Sequence, residues 1–113
     1  MTDLDALRTS LASGEHEFAD TLAFVAAHYD YRPRAFRNGG QENAAGENEG
    51  SCKTLGLALL EGLSDQEALS AFGEHYRGVL ATPEGTDHAN IRNLLAHGLA
   101  GVTFEGAPLT RKN

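Results

Sequence analysis

The chain has no tryptophan, one cysteine, one methionine and three prolines in 113 residues. A lone cysteine excludes an internal disulfide, which fits folding in a reducing cytosol. No apolar run approaches the roughly 20 residues that a bilayer requires, and Met1-Thr2-Asp3-Leu4-Asp5-Ala6-Leu7 lacks a basic region followed by an apolar stretch. Neither a membrane anchor nor a signal peptide is expected. Positive charge is also scarce, since nine Lys and Arg against sixteen Asp and Glu leave a net charge of -7. Such a field repels phosphate backbones. The nearest basic group, Arg32, Arg34 and Arg37, is followed by Glu42, Glu47 and Glu49, so nucleic acid is not expected as a partner.

What is present suits one core. Hydrophobic residues make up 41% of the chain, close to the globular norm, and no internal repeat or low-complexity tract divides it. Residues 1–106 read as a single domain, expected as a monomer, and 107–113 as a flexible tail. Leu4, Leu7 and Leu11 recur at helical spacing behind Thr2, which with Asp5 imitates a capping box. Phe18, Leu22, Val25 and Tyr29 form the stripe of a second helix from about Glu15, with Glu15 and Glu17 at its start. Pro33 predicts an extended run before Asn38-Gly39, a turn that joins Ala35-Phe36-Arg37 to Gln41-Glu42-Asn43 in a short hairpin. Leu55 and Leu57 to Leu60 surround most of a central helix that ends at Gly62. Ser64 and Glu67 make a capping box for a fourth helix, with the stripe Leu69, Phe72, Tyr76, Val79 and Leu80. Thr82-Pro83-Glu84-Gly85 is a turn. Thr86 or Asp87 caps a fifth helix that buries Ile91, Leu94 and Leu95, and residues 101–106 alternate like a short strand able to join the hairpin. The sum is a mainly α, α+β fold of about five helices.

The loop from Asn43 to Lys53 carries the chemistry worth testing. Gly46 and Gly50 give it shape, Ser51 is placed to cap the helix after it, and Cys52 stands at that helix start. A thiol in a first turn faces free amides and the positive dipole end, and Lys53 adds charge. A nucleophile needs a base, with His28, His75, His88 and His97 as the choices and Cys52 with His88 as the candidate catalytic pair. Cys52 equally serves as a small apolar residue of a buried helix. As a calcium loop the stretch lacks its bidentate acid and two other ligands; no zinc spacing exists; and Gly46 to Gly50 is one residue too short for a phosphate loop. Neither metal nor cofactor is expected.

His28-Tyr29-Asp30-Tyr31, Ala35 to Gly39, Asn43, Ala45-Gly46, Asn48 to Lys53, Phe72-Gly73, Tyr76-Arg77, Val79 to Pro83, Thr86-Asp87-His88 and Asn90 to Asn93, in that order, closely resemble the HopJ (HopPmaJ) family. The family is named for a type III secretion effector of plant-pathogenic bacteria. The resemblance implies a bacterial protein, made in the cytoplasm and delivered into host cells in virulence.

A binding role uses the same residues. If the helix start at 87–93 packs beside the 43–53 loop, amides from two helix N-termini converge on one anion. Asn38, Asn48, Glu49, Ser51, Lys53, Asp87, His88, Asn90 and Arg92 are then the expected binding residues. Their partner is a host or bacterial protein, or a small anionic ligand. The asparagines and Arg92 serve equally well to satisfy buried backbone groups.

Overall fold

The computed structural model describes residues 3–112, so the Thr2 cap lies outside the described residues. Those residues form α1 (Asp3–Ala12), α2 (Phe18–His28), β1 (Tyr29–Tyr31), β2 (Phe36–Asn38), β3 (Gln41–Asn43), α3 (Glu49–Glu61), α4 (Asp65–Ser70), α5 (Glu74–Ala81), α6 (Ala89–His97), a 3-10 turn at Leu99–Gly101, β4 (Val102–Phe104) and β5 (Leu109–Arg111). The fold is α+β and mainly α, as the apolar spacing predicts.

α3 is the central element. Cys52 and Thr54 to Ala58 are all buried in it, and it ends where Gly62 turns left-handed at φ +70. The expected core positions Leu59 and Leu60 instead emerge, 44% and 37% exposed, in the last turn. The helix also starts three residues before Cys52. Asn48 stands at its cap position and Glu49 is its first residue, so Ser51 is its third residue and not its cap. Glu17 caps α2 through a box with Asp20, and Glu15 lies before the helix rather than in its first turn.

The helix expected over 64–81 is two. Ser64 accepts from Glu67 N as predicted and opens α4, but the chain breaks at Gly73, with φ +58 and ψ -128. Only glycine is comfortable there. The break exists because the start of α2 presses against it, and a Cβ on Gly73 would fall 2.6 Å from the Glu17 carbonyl carbon. Past the break α5 rotates, and Leu80, expected in the core, is 53% exposed.

The strands make two small antiparallel sheets, β1 with β5 and, in the order β3-β2-β4, the hairpin with β4. Pairing of Phe36 with Asn43 and of Asn38 with Gln41 puts the hairpin turn at Gly39-Gly40, one residue beyond the expected Asn38-Gly39. A slip of one residue reverses every side chain in a strand. Asn38 therefore points inward beside Phe36 and is fully buried. The predicted strand at 101–106 does join the hairpin, with Phe104 opposite Phe36 and their rings stacked 5.0 Å apart.

Within the stretch 107–113, expected as a flexible tail, Leu109–Arg111 form β5. Leu109 is 2% exposed, a burial that contributes about 2 kcal/mol. Gly56 lets this segment cross α3, since a Cβ there would lie 2.6 Å from Pro108 Cγ. Arg111 grips Glu61 through two nitrogens, at 2.5 and 3.2 Å, and Tyr29 donates its hydroxyl to the same carboxylate. The guanidinium, helped by that hydroxyl, holds Glu61 below the usual carboxylate range.

Gly73→Ala should lower stability by about 3 kcal/mol or more, through backbone strain and overlap with α2. Urea denaturation measures it, and a loss below about 1 kcal/mol would contradict the steric account of the break.

Candidate functional site

Two helices begin at one place. α3 starts at Asn48 with φ +49 and α6 at His88 with φ +53, the two non-glycine residues with positive φ among the described residues. Neither helix has a side-chain cap. Asn48 donates its side-chain Nδ2–H to Asn43 Oδ1, 2.6 Å away, and makes no cap bond to its own helix. The Thr86 or Asp87 cap expected for α6 is replaced by His88. The earliest intrahelical bonds run from Cys52 N to Asn48 O at 2.9 Å and from Ile91 N to His88 O at 3.0 Å. The amides of residues 49–51 and 89–90 lie ahead of these bonds, where a helix leaves its donors free.

A pocket of about 350 Å³ lies between the two starts. Asn48, Ser51, His88, Asn90 and Gln41 form its polar side, and Phe18, Phe72, His75 and Ile91 form the other. Phe18 stacks on Phe72 at 6.0 Å and meets His75 edge-on at 5.1 Å, while His75 lies 5.1 Å from His88. Gly50 is glycine because a Cβ there would touch Phe18 Cζ at 2.7 Å. In a chain of net charge -7, no residue lining this pocket is acidic. A groove of about 660 Å³ over the hairpin sheet is larger, but Glu42, Glu47 and Glu105 line it and neither helix start reaches it.

Asparagines hold the two starts together. Asn90 Nδ2 donates to Asn43 Oδ1 at 3.0 Å, and Asn38 Nδ2 donates to Asn90 O at 2.7 Å and to Asn90 Oδ1 at 3.1 Å. Asn43 thus receives hydrogen bonds from both Asn48 and Asn90, one from each helix start. Asn38 sits behind the pocket as part of this frame. Its Oδ1 is the buried side-chain polar atom without a partner among the described residues.

Of the expected binding residues, Asn48, Ser51, His88 and Asn90 meet at the pocket. The others point elsewhere. Glu49 accepts from the Tyr31 hydroxyl at 3.2 Å, and Lys53 Nζ lies 4.7 Å over the Tyr31 ring. Arg92 clamps the preceding loop, with bonds to Thr82 O at 2.8 Å, Asp87 O at 2.6 Å and Asp87 Oδ1 at 2.6 Å. That contact lowers the Asp87 pKa. Gln41, His75 and the aromatic side carried no local signal, because Phe18 and Phe72 read as core stripes and His75 as one of several histidines.

Cys52 does not line the pocket. It is the fourth residue of α3, its amide is already used, and its sulphur lies 3.8 Å from Arg34 O. At 1% exposure it packs as a core residue, and His88, its candidate base, lies instead beside His75. Among the described residues no three His, Cys, Asp or Glu side chains are grouped to hold a metal ion. Native protein should leave a thiol reagent unreacted from pH 6 to 9 and consume one equivalent only in denaturant. Rapid labelling of the folded chain would return Cys52 to the list of reactive groups.

No helix among the described residues is long and apolar enough to cross a membrane. A family model described as HopJ type III effector protein matches residues 4–109. A solved structure, described as the crystal structure of unknown function protein VPA0580, superposes with a TM-score of 0.92. It is 42% identical and covers 98% of this chain and 95% of its own. No curated protein matches. With the blocks around Asn48, Phe72 and Asn90 all inside the matched range, the chain belongs to the HopJ type III effector protein family.

Proposed function

We propose that this protein is a type III effector that acts by binding, and that it receives a carboxylate or similar small anionic group in the pocket between α3 and α6. The group is carried by a free ligand or by a protein partner in the host or the bacterium. One observation carries the reading: two uncapped helix starts open into the same acid-free pocket. A helix N-terminus offers oriented amides and about half a positive charge, and two that converge suit an anion better than either alone. The aromatic side gives room for an apolar body behind the charged end. Both helices enter from a left-handed residue, a conformation that costs about 1 kcal/mol or more outside glycine and recurs at ligand sites.

Acetate and inorganic phosphate serve as probes. Either should shift the amide resonances of residues 49–51 and 89–90 in a saturable way. Ala89→Asp places a carboxylate at the first position of α6, where it favours the helix and fills the site. That variant should keep or raise the melting temperature and weaken probe binding by about tenfold or more. Unchanged binding in a folded Ala89→Asp protein, or shifts scattered over the surface, would remove the pocket as an anion site.

Delivery is tested separately. A reporter fused after the full chain should enter host cells from a strain with a working type III apparatus and remain in the bacteria when the apparatus is disabled. Retention in both strains would leave a role inside the bacterium.

A further inference from the structure

We propose that His16 is a protonation latch for the pocket: its neutral ring pins the segment before α2 in place, and in acid the segment lifts and takes Phe18 out of the pocket wall. His16 is 3% exposed and joins three elements. Its Nδ1 lies 2.7 Å from Ser10 Oγ on α1, and its Nε2 lies 2.7 Å from Thr21 Oγ1 on α2. Thr21 gives its one hydroxyl hydrogen to Ala71 O at the end of α4, at 2.6 Å. Toward His16 the threonine oxygen must therefore accept. Nε2 carries the ring proton, Nδ1 is the acceptor, and Ser10 donates to it. The neutral imidazole satisfies every atom in this chain of bonds.

A second proton, taken up from solvent on Nδ1, makes the Ser10 hydroxyl turn from donor to acceptor and buries a charge with no carboxylate in hydrogen-bonding contact. The charged groups that face the ring are occupied. On α2, Asp20 accepts from Glu17 N at 3.0 Å. On α5, Glu74 accepts from Phe18 N at 2.8 Å, and Arg77 donates to Gly14 O at 3.3 Å and His16 O at 3.0 Å. Glu17 is paired with Arg77 at 3.3 Å. α1 offers the ring Ser10, and the α4 end offers only the Ala71 carbonyl through Thr21. Burial and Arg77 oppose the charged ring, Asp20 and Glu74 favour it, and burial is the largest influence, so its pKa falls below the ordinary 6.5. The open segment then holds the proton more tightly than the closed one. Closure is at full strength above about pH 6.5 and weakens as the pH falls below it.

The same segment builds the pocket. Phe18 follows two residues after His16, and its backbone lies against Gly73 while its ring stands between Phe72, His75 and Gly50. In this latch the charged ring reaches water by displacement of residues 14–18 from Gly73, and the Phe18 ring moves with them. Regulation of binding rests on the role proposed above, but the latch is read without any ligand. Lost anion shifts with a working latch would sink the binding role alone.

Hydrogen exchange at residues 14–21, corrected for intrinsic rates, should lose protection by up to about tenfold per pH unit below pH 6.5, relative to α3. Contacts between the Phe18 and Phe72 rings in proton spectra should fade over the same range. His16→Gln, whose amide donates and accepts without titrating, should abolish both changes. Nitrogen shifts of the wild-type His16 ring should show the Nε2–H form and a pKa below 6.5, which covers the case of a variant that does not fold. Protection independent of pH, an Nδ1–H ring, or a Gln variant with wild-type pH dependence would overturn the latch.

Discussion

The arrangement depends on Asn43. Its amide oxygen receives Asn48 from one helix start and Asn90 from the other, so a single buried carbonyl fixes the spacing of α3 and α6. Buried amides of this kind are costly unless satisfied; the network closes on itself through Asn38 and Asn90 and leaves Asn38 Oδ1 as its one buried side-chain polar atom without a partner among the described residues. Asn48 Nδ2 donates to this frame at Asn43 Oδ1, and the Asn48 side chain makes no cap bond to α3.

The aromatic side follows from a second constraint, the close approach of α2 to Gly73. Phe18 reaches Phe72 and His75 because nothing but hydrogen separates the two backbones at that point. Polar and aromatic sides thus come from separate parts of the chain, the loop and α6 on one hand, the α2 start and the α4–α5 break on the other. Their meeting is a property of the tertiary structure.

This division explains how much was legible in the sequence. Apolar spacing, the Ser64 box and Gly62 mark the helices, and the asparagine-rich blocks point to the right two helix starts. Ser51 misleads because a hydroxyl before an apolar run usually caps, whereas here Asn48 turns left-handed three residues earlier. Asn38-Gly39 has the composition of a turn, but Gly40 provides a second glycine and the burial of Asn38 decides the register. Gly73 in sequence either weakens a helix or allows close packing against a neighbour, and nothing local decides between them because the α2 backbone that breaks the helix there is more than fifty positions away. Residues 108–111 look loose for the same reason, since Gly56 and Glu61, which hold them, lie in another helix.

The placement of Asn38 has a consequence for the ageing of the protein. In a mobile chain, an asparagine followed by glycine loses its side-chain nitrogen as the glycine amide attacks the side-chain carbonyl and forms a succinimide that hydrolyses to aspartate or isoaspartate. Here Gly39 N is tied to Gly101 O at 2.9 Å and Asn38 Nδ2 is held by Asn90, which keeps the attacking atom from its target. A chain left unfolded has no such protection, and an aspartate at 38 would bring a charge into the sealed amide frame. Such damage falls on chains that spend time unfolded, and it strikes the side chain that holds Asn90.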